Sequence, residues 1–139
     1  MVASWGFVEH FEKEVTAKFI EKQKSMVCNN GYLVVELPNI RKFFWLVLYV
    51  FNHEVIKTHN LKIMDLSWLK QCVTKGNEFE LLYSSYYFTM NPQNEFFVKH
   101  KRLRKICERI VYYFSNTSFS DNVKKWFCPY IVIIAKRKK

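Results

Sequence analysis

The clearest hydrophobic pattern in the chain is a short apolar run between a glycine and a proline. Gly31 opens it, Tyr32 to Leu37 form it, and Pro38-Asn39 close it. A near-continuous apolar run of this length predicts a strand buried on both faces. Pro38 lacks a backbone N–H, so we expect the strand to stop there and Asn39 to leave the sheet at its carboxyl edge. Because ligands of open α/β sheets bind outside that edge, Asn39 is a candidate binding residue.

The residues before this strand predict a strand, a turn and a helix. Residues 1 to 8 indicate the end of a strand, with Gly6 and Phe7 in the turn that follows. Residues 12 to 27 have helical periodicity, with Lys24 among the side chains expected to face water. The two strands should therefore pair in parallel through a right-handed crossover.

The remainder of the chain predicts two more strands and three more helices. The first of these helices is expected over residues 41 to 54, and the second begins at a cap formed by Asp65 or Ser67. The third is expected over residues 95 to 114, where Ile106 and Ile110 belong to the core stripe. Strands are expected over 79 to 88 and 130 to 135, with a polar loop over 115 to 122. The order β-α-β-α-α-β-α-β predicts one α/β domain over residues 1–139.

The most apolar run is Phe43 to Phe51. It is about half of the ~20 residues that a membrane span needs, so we predict no transmembrane span. A core or lid helix is expected here, and an interfacial helix is the alternative.

Composition and charge restrict the classes of function and partner only in general terms. Half of the 139 residues are apolar, which permits a buried core, and the formal charge of +10 favours anionic partners such as nucleic acid, acidic lipid headgroups or phosphorylated substrates. The four cysteines are widely spaced and have no zinc-type spacing with histidine. We therefore predict reduced thiols, no metal site and a cytoplasmic protein without a signal peptide.

Several segments, taken in chain order, resemble the carboxyl-terminal half of class I S-adenosylmethionine-dependent methyltransferases. Ser4 to Phe11 is similar to the fourth strand and the "g-v-(i/l)-E-H-f" turn of that family, and Asn29 to Val35 to its "vLkpGGylvv" segment. Further similarities are Pro38-Asn39, His59 with Asp65 to Leu69, Gly76 to Leu82, and the closing strand from Pro129 to Lys136.

The resemblance implies both a fold and a chemistry. The fold is a partial Rossmann-like sheet of about four strands, the last one antiparallel, with flanking helices. The chemistry is methyl transfer from S-adenosyl-L-methionine to a small-molecule acceptor. It implies Glu9 and His10 as catalytic residues, His10 as a general base, Trp5, Gly6 and Phe7 beside the cofactor, and Asn39 and His59 beside the substrate.

The glycine-rich turn with which the resembled family binds its cofactor has no counterpart in these residues. The chain has 3 glycines and no G-x-G. We therefore expect a truncated product, one part of a split enzyme or a fold remnant with another use. A second chain supplying the missing half, or a homo-oligomer, is the expected partner.

The alternative function is a non-catalytic basic module that binds nucleic acid or a partner protein. Basic residues on one face of the predicted 95 to 114 helix would contact phosphates: Lys99, Lys101, Arg102, Arg104 and Lys105. An ordinary solubilising face is the competing interpretation.

The residues that the resemblance assigns to catalysis or binding also have interpretations that involve no ligand. Glu9 can charge the start of the next helix, Asn39 can belong to a Pro-Asn turn, His59 can be a solvated loop residue and Trp5 a core aromatic.

Overall fold

The computed structural model describes residues 1–51, 53–87 and 101–139. They form an α/β structure around one open, mixed sheet in the order β1-β2-β4-β3. The strands are β1 (Val2–Trp5), β2 (Tyr32–Pro38), β3 (Phe79–Tyr87) and β4 (Tyr130–Arg137). The helices are α1 (Lys13–Met26), α2 (Phe43–Phe51), α3 (His53–Thr58), α4 (Leu66–Thr74), α5 (Lys101–Asn116) and α6 (Asp121–Phe127).

Strand pairing follows the predicted topology. β1 pairs with β2 in parallel, with Ala3 opposite Val34, and α1 is the crossover between them. β4 is antiparallel to both of its neighbours, β2 and β3. The expected strands, the parallel pair and the antiparallel last strand are confirmed. The predicted division into a single domain stays a prediction.

The two edge strands of the sheet differ in regularity. β3 carries a register shift at Leu81/Tyr83, which marks a β-bulge, whereas β1 pairs with β2 without interruption. Within the described residues β1 has a strand neighbour on one side only. β1 is therefore the regular edge of this sheet and β3 the irregular one.

The prediction that β2 is buried on both faces is wrong. Leu33, Val35 and Leu37 are fully buried, while Tyr32 is exposed and Val34 is half-buried. The cause is the placement of α1 and α4, which pack against each other and against the sheet on the side where the buried side chains lie. The strand thus has one core face and one partly open face.

Lys24 also differs from expectation, because it is buried rather than solvated. Its Nζ donates hydrogen bonds to the carbonyl oxygen of Lys75 at 2.7 Å and to Oε1 of Glu21 at 3.0 Å. Lys75 follows the last turn of α4, where backbone carbonyls lack helical partners. The lysine therefore joins the end of α4 to α1.

Helix α4 begins at the predicted cap. Oδ1 of Asp65 accepts hydrogen bonds from the backbone N–H groups of Ser67 at 2.9 Å and Trp68 at 3.0 Å. Partial burial by itself raises the pKa of this carboxyl, but hydrogen bonds from Ser67 and Trp68, together with the charge of Lys125, outweigh it and hold the pKa below its usual value. The prediction of Asp65 as a cap is confirmed.

The region after β3 departs most from the sequence-based expectation. The start of the predicted 95 to 114 helix and Phe88 lie outside the described residues; within them α5 extends to Asn116. Ile106 and Ile110 are exposed, so their assignment to the core is wrong. The predicted loop over 115 to 122 is shortened at both ends, because α5 ends at Asn116 and a short helix, α6, starts at Asp121.

The apolar run from Phe43 to Phe51 forms helix α2 as expected. Leu48 packs against the hydrophobic core from this helix. Across the described ranges, no helix has both the length and the apolar character that crossing a membrane requires. The predicted cytoplasmic location stays a prediction.

Gly31 is required by a close backbone approach before β2. A Cβ at this position would lie 2.8 Å from the carbonyl oxygen of Cys28 and 2.9 Å from Cγ1 of Val27. We expect Gly31→Ala to lower the free energy of unfolding by about 1–3 kcal/mol, because the turn and the start of β2 must both shift. Urea denaturation measures this effect. Asn29→Ala, at an exposed position of the same turn, should change stability by less than about 0.5 kcal/mol. Equal midpoints for both variants would contradict the steric argument.

Candidate functional site

The site is built at the carboxyl end of β1. The strand ends at Trp5, and Gly6 turns the chain with φ +58°, a left-handed conformation that favours glycine. A single turn of 3-10 helix, Val8–His10, follows and carries Glu9 and His10. A Cβ on Gly6 would lie 3.4 Å from Oε1 of Glu9, so this turn passes directly beside the carboxylate.

Three potential metal ligands meet at this turn. Glu9, His10 and His59 each offer one ligand atom, and these atoms lie within 4.8 Å of one another. The imidazole rings of the two histidines are 4.6 Å apart between centroids. The Glu9 side chain is 3% exposed and that of His10 45% exposed, so the cluster has a buried wall and an open side.

The orientation of His10 is fixed by a backbone carbonyl. Its Nδ1 lies 3.0 Å from the carbonyl oxygen of Thr58. A carbonyl oxygen only accepts, so Nδ1 carries the proton and donates it, which leaves the lone pair of a neutral ring on Nε2. Nε2 lies 3.7 Å from Oε1 of Glu9. Nε2 of His10 and Oε1 of Glu9 then face each other with lone pairs, which repel. A positive charge near them, either a proton on Nε2 or a metal cation, removes this repulsion.

The carboxylate of Glu9 independently indicates a cation at this cluster. Its Oε2 is buried and has no hydrogen-bond partner among the described residues. A buried carboxylate that lacks its full set of donors is costly unless a cation compensates it. Together with the His10 lone pair, this oxygen makes the cluster suited to a cation.

Further hydrogen bonds fix the loop that carries His59. Nδ1 of His59 lies 3.1 Å from Oγ1 of Thr58. The backbone N–H of Asn60 donates to the carbonyl oxygen of Glu9 at 2.7 Å, and Nδ2 of Asn60 donates to the carbonyl oxygen of Phe11 at 2.9 Å. Partners on the second ring nitrogen and on the adjoining backbone are characteristic of metal-ligating histidines, since they fix the ring before the metal binds.

Two imidazoles and one carboxylate form a donor set used for zinc and for other divalent transition metals, with positions left open for water or substrate. Ligands at ~2.1 Å from a common ion lie at most ~4.2 Å from one another, so binding requires small rotations of these side chains. The sequence predicts no metal site, because these three residues come from two turns that are distant along the chain.

No protein-family model matches this chain, and no curated protein matches it significantly.

The residues assigned to the cofactor lie next to the cluster. Trp5 is 58% exposed at the end of β1, and Gly6 forms the turn beside Glu9. Phe7 is half-exposed and packs edge-on against Phe11 and Phe19, each at 5.4 Å between ring centroids. Their assignment to a cofactor stays a prediction.

Asn39, assigned to the substrate, is 1% exposed. Its Nδ2 donates to the carbonyl oxygens of Lys125 at 3.0 Å and Cys128 at 2.8 Å, and its backbone N–H donates to Pro129. The side-chain amide therefore joins the end of β2 to the end of α6. Contact with a substrate stays a prediction for this residue.

The basic face assigned to nucleic acid is described in part. Arg102 and Lys105 are exposed on α5. Lys99 lies outside the described residues, as do the side chains of Lys101 and Arg104.

Proposed function

We propose that this chain forms the acceptor side of an S-adenosyl-L-methionine-dependent methyltransferase site, in which Glu9, His10 and His59 hold a divalent metal ion. The acceptor is a small molecule that presents a hydroxyl group. The observation that carries the proposal is the convergence of these three side chains at the carboxyl end of a parallel strand, the edge at which α/β proteins bind ligands.

The fold supports the proposal without deciding it. The four-stranded mixed sheet, the parallel β1-β2 pair and the antiparallel last strand are the features that the methyltransferase resemblance implies. The partial Rossmann-like assignment is part of this proposal. So is the expectation that another polypeptide, or a second copy, completes the cofactor site.

Methyl transfer is an in-line displacement at the sulfonium methyl group. The acceptor oxygen forms a bond to the methyl carbon while the carbon–sulfur bond breaks. The electron pair of the broken bond stays on sulfur, which gives S-adenosylhomocysteine. Glu9, His10 and His59 would hold a divalent ion, which would supply the Lewis acidity that lowers the pKa of a hydroxyl group on the acceptor, so that the hydroxyl proton could pass to solvent near neutral pH. Glu9 contributes the negative charge of the ligand set, and both histidines orient the acceptor beside the methyl group.

His10 has two possible roles in this scheme. Its Nδ1 hydrogen bond to Thr58 and its Nε2 position beside Glu9 favour a ligand role. The general-base role predicted from the resemblance requires Nε2 to face the acceptor rather than a metal ion. Activity that is independent of added metal and sensitive to His10→Ala would support the base.

The proposal is tested by calorimetric titration of S-adenosylhomocysteine into the purified chain, in parallel with size-exclusion chromatography. We expect no binding by the chain alone, because the glycine-dependent cofactor cradle is not among these residues. We also expect concentration-dependent self-association, because β1 has a strand neighbour on one side only within the described part of the chain. Micromolar binding would show that the site is complete here. A strict monomer that binds neither metal nor cofactor would contradict the methyltransferase proposal.

A second candidate function is nucleic-acid binding through α5. The observation that favours it is the exposure of Arg102, Lys105 and Arg109 along one helix of a chain with formal charge +10. Phosphate contacts of this kind give an affinity that falls steeply as salt rises. A salt-dependent affinity for RNA that is lost in the Arg102→Glu/Lys105→Glu variant would establish this function.

A further inference from the structure

Helices α2 and α6 together present a large exposed apolar surface, which we call the α2–α6 surface. Its members are Phe43 (45% exposed), Trp45 (39%), Leu46 (56%), Tyr49 (51%), Trp126 (50%) and Phe127 (41%). The rings of Phe43 and Phe127 are 5.7 Å apart between centroids, so the two helices contribute to one continuous surface. Exposed apolar groups on this scale indicate an interaction site.

Among the side chains of α2 that the structure describes, the exposed ones lie toward one side of the helix. At about 100° per residue, Trp45, Leu46 and Tyr49 fall within about 100° of one another, and Phe43 lies about 60° beyond Leu46. Phe44 and Leu48 lie on the opposite side and are half-buried. α2 therefore rests on the protein through one face and presents a second apolar face outward.

The outward face has the chemistry of an interfacial helix. Trp45 and Tyr49 are stacked at 5.0 Å between centroids, and both residue types favour the headgroup level of a bilayer. Lys42 is exposed and lies with its Nζ 4.8 Å from the ring centroid of Trp126, so a cation borders the aromatic side chains. Arg41 and Lys125 are close by but share Asp65, at 3.7 Å and 4.0 Å.

The sequence of α2 distinguishes a lipid surface from a nucleic acid. Its nine residues, FFWLVLYVF, include no charged and no amide side chain. Surfaces that bind single-stranded nucleic acid combine stacking rings with cations along the backbone path. An uninterrupted apolar helix with cations only at its border is instead suited to insertion between headgroups, with the cations at the phosphate level.

We infer that the α2–α6 surface binds the surface of an anionic membrane. The apolar side chains enter the headgroup region, while Lys42 and the overall positive charge interact with acidic lipids. This binding is peripheral, and it goes beyond the proposed methyltransferase function without depending on it.

The test is sedimentation of the chain with vesicles of phosphatidylcholine and phosphatidylserine, compared with phosphatidylcholine alone. We expect binding to the anionic vesicles and about tenfold weaker binding for Leu46→Ser, because one leucine no longer leaves water. Leu82→Ser is the matched control, since Leu82 is 50% exposed on β3, outside the surface, and should leave vesicle binding unchanged.

Four results would overturn the inference. The first is absence of vesicle binding, and the second is equal loss in Leu46→Ser and Leu82→Ser. The third is a chain that self-associates through this surface, shown by a dimer that Leu46→Ser converts to a monomer while vesicle binding is absent. Binding of an RNA oligonucleotide that Leu46→Ser abolishes, again without vesicle binding, would likewise reassign the surface.

Discussion

Replacing His59 with alanine should weaken divalent-metal binding at the proposed cluster by at least about 100-fold. The reason is that His59 supplies one of three ligand atoms and is the only one that comes from the second turn. Calorimetric titration with Mn²⁺, and the visible absorption of added Co²⁺, measure the loss directly. If the methyltransferase proposal holds, the completed enzyme loses activity in the same variant.

The control for this variant is His53→Ala. His53 is exposed on α3, in the same connecting segment, and its ring lies 5.1 Å from Tyr49 rather than at the cluster. This variant should bind metal as the unmodified chain does. Equal affinities for the two variants would exclude the cluster as the metal site.

Glu9→Gln separates metal binding from a structural role. The amide retains the shape of the carboxylate but removes a buried charge whose Oε2 has no hydrogen-bond partner among the described residues. Metal affinity should therefore fall, while the metal-free chain should be at least as stable to urea as the unmodified one. A strongly destabilised Glu9→Gln chain would mean that the carboxylate serves the fold instead.

The second large effect is expected at Asn39. In Asn39→Asp, a carboxylate replaces the amide that donates to the carbonyl oxygens of Lys125 and Cys128. Both hydrogen bonds are lost, and a buried negative charge then faces two acceptors, so the free energy of unfolding should fall by about 3–5 kcal/mol. This is a large share of the ~5–15 kcal/mol that stabilises a typical domain.

Urea denaturation of Asn39→Asp and Asn29→Asp measures this effect against a matched control. Asn29 is exposed in the turn before β2, so the same chemical change there should alter stability by less than about 0.5 kcal/mol. If Asn39→Asp unfolded at the same urea concentration as the control, the buried amide would not hold α6 to β2, and a role beside the substrate would become the better interpretation.

The sequence predicted the strands and most of the helices because their signals are local. Gly31 and Pro38 stand at the two ends of β2, and Asp65 caps α4 through its own neighbours. These signals act over a few residues and do not depend on how the chain folds elsewhere. The parallel β1-β2 pair follows from them, since a helix lies between two strands.

The proposed metal ligands could not be predicted because their proximity is a tertiary property. Glu9 and His10 were singled out for one role and His59 for another, and the hydrogen bonds of Thr58 and Asn60 bring their turns together. Neither turn shows a metal-binding spacing by itself. The burial of Lys24 has the same origin, because its acceptor is the carbonyl oxygen of Lys75 on another helix.

Short polar helices are missed for a different reason. α6 comprises seven residues, and a polar Ser/Asn/Thr segment precedes it, which is typical of a loop. Helices of this length are stabilised by tertiary contacts rather than by propensity. Here those contacts include the Asn39 amide and the ring of Phe43.

The difference between the two sheet edges limits how copies of this chain can assemble. β1 contains no charged residue, no proline and no bulge, whereas β3 combines a bulge with the exposed Glu80. Such features disfavour strand addition, so β1 rather than β3 is the edge at which we expect another strand to pair. If a sheet can add strands at one edge alone, its growth ends when two copies have paired through that edge. Pairing through the backbone therefore gives a closed pair with a twofold axis instead of an open fibre.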